Sequence, residues 1–177
     1  MKSTFNKINL VLLLITTIAL VSCKDDNNQD YAVSNQEFVT RASGGNNFEV
    51  AAGGLAMSKA EKAEVKHYGE HMVTDHTAAG LELKSLASQK NWSISEGLLL
   101  KDQAMLAKLA GLSGNAFDRE FMRIMVQSHQ ETVALFETGS SPMGLADADL
   151  RAMASSKLPT LKAHLQEAIV LNAGLNP

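Results

Sequence analysis

Apolar residues along this chain recur at three- and four-residue spacing, and no stretch alternates with period two, so the pattern predicts helices throughout. The clearest helix runs from residue 59 to about 90, where Val65, Tyr68, Met72, His76, Ala79, Leu83 and Leu86 share one face. Ahead of it, a first helical region opens near Asn35 with Phe38, Val39 and Ala42. It meets Gly44-Gly45-Asn46-Asn47, where a break or kink is expected, and resumes from residue 48 to 57. A shorter amphipathic helix spans about residues 96 to 110 and ends at Gly111 and Gly114. The next, about 116 to 137, buries Phe117, Phe121, Met125, His129, Val133 and Phe136. The last begins near Asp147 and reaches about Ala173, with an interruption or bend expected at Pro159, which cannot donate a backbone hydrogen bond. Three Ser-x-x-Glu pairs, Ser34 with Glu37, Ser58 with Glu61 and Ser93 with Glu96, have capping-box spacing near predicted helix starts. Four principal helices joined by polar turns predict an all-α fold, an antiparallel four-helix bundle with an extra short helix.

The N-terminal residues follow another rule. Lys2 and Lys7 flank or precede a nearly unbroken apolar run, residues 8–21, which has the length of a secretory signal and is short for a membrane span. It ends in Leu20-Val21-Ser22-Cys23, which resembles a bacterial lipobox, and the resemblance implies cleavage before Cys23 and lipidation, palmitate included, of that cysteine. Several acyl chains on one residue hold a protein to a bilayer far more firmly than one. Residues 1–22 thus read as a lipoprotein signal peptide, 23–33 as the lipidated cysteine and a flexible tether, and 34–175 as one bundle domain. By analogy with lipoprotein sorting, a lysine after the cysteine points to the outer membrane, and Lys24-Asp25-Asp26 resembles a surface-export signal. The expected address is the outer membrane, with surface exposure as an open alternative.

Charge and composition narrow the function classes. Without the leader the chain carries 14 basic and 19 acidic residues, a net charge of −5, with no basic cluster and one tryptophan lacking aromatic neighbours. Nucleic acid is therefore not an expected partner. The membrane is one, through the lipid anchor, and a protein partner is left unspecified. Cys23 is the only cysteine, so once lipidated it leaves no thiol for a disulfide, a metal or a nucleophile. There is no Gly-x-Ser-x-Gly elbow and no Gly-rich phosphate loop before a helix, and no residue pair stands out as general acid and base. No catalytic residue is predicted.

The chemistry that remains lies in histidines. Met-Val-x-x-His occurs twice, at Met72 to His76 and Met125 to His129, and each i,i+4 pair puts a thioether and an imidazole on one inward face. His164 shares the apolar face of the last helix with Leu161, Ala168 and Leu171, so three helices each turn one histidine inward. Asp75, beside His76, is placed to hold a buried partner from another helix at the bundle edge. A second arrangement, His67, His71 and Asp75 at i, i+4 and i+8, lies on a polar stripe. Two histidines one turn apart can chelate zinc or nickel there, and a solvated face is the alternative.

At this point the chain resembles the bacterial domain of unknown function 4142 family, which is assigned to the ferritin-like helical bundles. The resemblance rests on Phe38-Val39 with Ala42 and Gly44-Gly45, Glu49-Val50, Val65-Lys66 and Met72-Val73-Thr74-Asp75-His76. It continues through Phe117-Asp118-Arg119, Met125-Val126 with His129 and Leu135-Phe136, and Leu158-Pro159-Thr160-Leu161 with His164-Leu165. It implies the fold over about residues 34 to 170 and carries no assigned chemistry. Di-iron bundles of the ferritin type supply Glu-x-x-His from two helices. Here Val73, Val126 and Leu161 precede the three histidines by three residues, so a di-iron oxidoreductase is not expected. What remains is a mononuclear site of His76, His129 and His164, with Glu49, or with Met72 and Met125 for copper(I). Imidazole suits copper and zinc, with iron behind them. The competing reading is that these histidines are hydrogen-bonded core residues of a structural or protein-interaction module, with methionines filling gaps.

Overall fold

The computed structural model describes residues 30–176. The leader, Cys23 and most of the tether lie outside the described residues. Five helices follow in order: α1 (Asn35–Lys59), α2 (Ala63–Lys90), α3 (Leu100–Ala110), α4 (Gly114–Ser140) and α5 (Ala148–Leu175). Among the described residues there is no strand, and no helix is long and apolar enough to cross a membrane. The all-α bundle is as expected: α1 packs mainly on α2 and α4 on α5, with α1 against α4 and α2 against α5 closing the four. The short α3 lies against α1 and α4.

Several boundaries differ from the sequence reading, each for a physical reason. The expected break at Gly44-Gly45-Asn46-Asn47 does not occur, and α1 is one continuous helix. Its polar side chains instead bond the segment around residues 93–95. Ser43 Oγ accepts from Ser95 N at 2.8 Å, Asn47 Nδ2 donates to Ser95 O at 2.8 Å, and Gln36 exchanges bonds with Ser93 at 2.7 and 2.9 Å. Gly44 leaves room for Leu99, whose Cγ would lie 2.6 Å from a Cβ at that position. This strapped segment also displaces the predicted start of the short helix. Ser93 and Glu96 do not cap it, and α3 begins at Leu100.

Of the three predicted capping boxes, the first has the expected cap, with Ser34 Oγ accepting from Glu37 N at 3.1 Å. Ser58 instead bonds back to Leu55 O, and α2 begins after Lys62. The exposed donors there are met from across the bundle. Asp118 Oδ1 and Oδ2 accept from the backbone N–H groups of Glu61 and Lys62 at 3.0 and 2.9 Å. Helix α5 continues through Pro159. Pro159 and Ser155, whose carbonyl lacks its usual donor, are both exposed, so water can replace the lost bond. The tether ends earlier than expected: Ala32 and Val33 donate to Met143 O and Gly144 O at 2.9 and 3.1 Å, and Val33 is buried.

Helices α1 and α2 approach closely because two glycines face each other. A Cβ on Gly53 would lie 2.6 Å from Gly69 O and 2.9 Å from Met72 Cβ, whereas one on Gly54 meets nothing within 4 Å. Gly53→Ala is therefore expected to destabilise by roughly 1–3 kcal/mol, as overpacking does. Gly54→Ala is expected to be neutral or to stabilise by up to about 1 kcal/mol through helix propensity. Urea unfolding of the two variants separates these outcomes.

The buried apolar residues form two clusters. One holds Phe48, Ala52, Met72, Phe121, Met125 and Ala168, and the other Phe38, Ala42, Leu83, Val133, Phe136 and Leu161. On every long helix the residue between the two clusters is polar and buried: Glu49 on α1, His76 on α2, His129 on α4 and His164 on α5. A single polar layer thus crosses the middle of the bundle.

Candidate metal centre

Each long helix delivers one member of this layer because its apolar stripe continues on both sides and fixes the rotation of the helix. The three histidines are at most 5% exposed, and their ring centroids lie 5.5–5.6 Å apart. One ring nitrogen of each is within 4.8 Å of the other two, which makes this the group of potential metal ligands among the described residues.

What surrounds the rings decides their chemistry. His76 Nδ1 faces Glu49 Oε2 at 2.9 Å and Asn46 Oδ1 at 2.8 Å. His129 Nδ1 faces Met125 O at 3.0 Å and Glu49 Oε1 at 3.3 Å. His164 Nε2 faces Asp75 Oδ2 at 2.9 Å. Every one of these neighbours is an acceptor, so each ring places its N–H there, and the other nitrogen is left with a lone pair. Those other nitrogens, His76 Nε2, His129 Nε2 and His164 Nδ1, are buried and have no hydrogen-bond partner. A buried polar atom left unmatched costs on the order of 1–3 kcal/mol. Three such lone pairs brought together in one layer are the donor set that a metal ion satisfies at once. Metal-ligating histidines characteristically donate their second N–H to a carboxylate or carbonyl, as all three do here.

Electrostatics favours the same state at Glu49, His129 and His164 and draws His76 the other way. Burial pushes the Glu49 carboxyl up, but His76 and His129 beside it, with bonds from His76 and Ser128, outweigh burial and hold it at about 2. Ser128 Oγ donates to Glu49 Oε1 at 2.9 Å. Burial holds His129 below the usual imidazole value, helped by the neighbouring His76. His164 is held down likewise by burial and by the other two rings. His76 is drawn down by burial and pulled up further by Glu49, so its net displacement is upward. An ionised Glu49 and neutral His129 and His164 are the forms suited to ligating a cation.

The sequence-derived candidates fall into distinct places. His76, His129 and His164 come together. Glu49 lies behind two of the rings, with its oxygens turned to their N–H groups rather than alongside the unpartnered nitrogens. Met72 and Met125 sit one turn away on the same helices, within the first apolar cluster. Asp75 holds His164 from the bundle edge, in the way its position suggests. His67 and His71 are on the surface with ring centroids 4.2 Å apart, and their Nδ1 atoms face Glu70 at 3.2 Å and Glu167 at 3.6 Å. Asp75 is engaged by His164 instead of completing that pair. Asn46 and Ser128 were not singled out in the sequence. The available signals were an asparagine inside a helix, where it is disfavoured, and a serine directly before a buried histidine.

The fold has a known counterpart. The solved structure described as CopM in the copper(II)-bound form superposes with a TM-score of 0.65 at 19% sequence identity, covering 80% of this chain and 97% of that one. At that identity the likeness concerns the fold. No curated protein matches the chain. Residues 22–171 match the family described as a domain of unknown function, DUF4142, and with so much of its length inside that match the chain belongs to this family.

Proposed function

We propose that this protein is a non-enzymatic metal-binding module of the cell envelope. It takes one transition-metal ion between His76 Nε2, His129 Nε2 and His164 Nδ1. The observation that carries this reading is the set of three buried, unpartnered ring nitrogens, each backed on its opposite nitrogen by an acceptor. Copper is the ion we favour, with zinc as its competitor, because imidazole suits both and copper(II) binds nitrogen ligands more tightly than the other divalent first-row ions. The copper(II)-bound fold neighbour supports that choice. Met72 and Met125 offer thioethers near the layer if the ion is reduced. The missing Glu-x-x-His carboxylates argue against oxidative di-iron chemistry. Lipidation at Cys23 and attachment to the outer membrane complete the proposal and place the module where it can bind or buffer metal at the membrane surface.

The test is a copper(II) and zinc titration of the full chain made without a polyhistidine tag, beside His76→Ala and His67→Ala. The expected result is about one tightly bound ion per chain, lost in His76→Ala, retained in His67→Ala, and raising the melting temperature as a native-state ligand must. A chain that binds no ion, or whose only ion disappears with His67→Ala, would show the central histidines to be core architecture.

A further inference from the structure

A cavity of about 180 Å³ opens beside the histidine layer, lined by side chains of α1, α2, α4 and α5 that include His76 and His164 but not His129. It is large enough for several waters or a small ligand. The walls are mostly apolar, from Ala79, Leu83, Phe136 and Leu161, yet two hydroxyls in them are uncommitted. Among the described residues, the Thr132 and Thr160 hydroxyls engage no protein acceptor. Asn46 holds His76 through its oxygen, and its amide nitrogen lies toward Gly80, which does not line this cavity. Lys157 also lines the cavity, paired with Glu82 at 2.5 Å. Of the negative groups, Asp75 lines the cavity and accepts from His164 through Oδ2, and Glu49 is turned to His76 and His129.

Three protein ligands leave a metal ion with an open position, the arrangement of sites that exchange a ligand rather than of closed structural sites. Resting on the metal-binding reading above, we infer that this cavity is the ligand-exchange side of the centre, and that it admits a small metal-ligating anion to the open position. Hydrogen-bond donors without protein acceptors, next to two of the three rings, recognise such an anion. The volume accommodates an anion of a few heavy atoms. A second groove, lined by Ile94, Ser95 and Leu81, also touches His76, but the loop of residues 91–99 crosses there and His164 is not part of it.

The experiment uses the full chain carrying His67→Ala, which removes the exposed histidine pair as a competing ligand, loaded with one equivalent of copper(II). Metal content is measured first. Azide is then titrated and followed by its charge-transfer absorption and by electron paramagnetic resonance. Azide should perturb both signals, and Ala79→Phe, which fills the cavity, should keep the bound copper while weakening azide at least tenfold. Thr160→Trp narrows the exposed mouth without entering the core and should do the same if Ala79→Phe folds poorly. Bound copper that is indifferent to azide, or azide binding undiminished in both variants, overturns the inference while leaving the metal centre intact. A chain that takes up no copper overturns both.

Discussion

Glu49→Ala is expected to be the most damaging single substitution in the bundle, costing roughly 3–5 kcal/mol of stability, the usual consequence of removing one partner of a buried charged network. Glu49 is 1% exposed and joins three groups on two other helices: His76 at 2.9 Å, His129 at 3.3 Å and the Ser128 hydroxyl at 2.9 Å. Truncation takes the carboxylate from all three and leaves His76 with Asn46 Oδ1 and His129 with Met125 O as their remaining acceptors. It also loosens the hold on two of the ligating rings, and loss of such a supporting partner typically lowers metal affinity by about 10–100-fold. Glu49→Gln keeps the shape and one acceptor oxygen, so it should recover part of the stability and less of the affinity. Chemical unfolding of the metal-free forms and competitive metal titration measure the two effects separately. Equal stability of Glu49→Ala and the parent would contradict the account of the polar layer.

Acid is expected to have the second large effect, on both the metal-free and the loaded protein. His129 and His164 have folded pKa values below the ordinary 6.5, so they favour the folded state at neutral pH, and this contribution is lost as pH falls through 6.5 and toward their lowered values. His76 acts oppositely. Its folded pKa is raised, so its contribution is full below 6.5 and fades as pH rises through the folded value. Glu49, held at about 2 against 4.5, contributes above pH 4.5 and loses that contribution between 4.5 and about 2. Below pH 6.5 the contribution of His76 no longer changes, so the loss at His129 and His164 weakens the metal-free bundle there, and Glu49 adds to the loss below 4.5. The ion must also displace protons from its ligands, so affinity falls about tenfold per pH unit for each proton displaced. Melting curves with and without copper should therefore differ widely near neutrality and converge by about pH 5. A metal-induced shift unchanged across that range would place the ion on groups other than imidazoles.

Much of this was legible along the chain. The apolar stripes of α2, α4 and α5 located three inward histidines, because large apolar side chains repeating at three- and four-residue spacing fix which face is buried. Asp75 was identifiable as a partner at the bundle edge for the same reason. The first helix was misread, because glycines and asparagines disfavour helix locally, while their role is set by contacts distant in sequence. Gly44 accommodates Leu99, Asn47 holds the backbone at residue 95, and Asn46 backs His76. Glu49 was found as a candidate, but its aim was not, since one-dimensional spacing does not tell a ligand from a residue that orients one. The Asp118 cap on α2 was hidden likewise, lying 56 residues from Lys62.

The most direct test is a crystal structure of the chain loaded with copper or zinc, with the ion located by its anomalous scattering. The account predicts one principal peak in the central layer, about 2.0–2.1 Å from each of His76 Nε2, His129 Nε2 and His164 Nδ1, with Glu49 and Asp75 still bonded to the opposite ring nitrogens. A loaded crystal whose metal lies at His67 and His71, with no peak among the three buried rings, would contradict it.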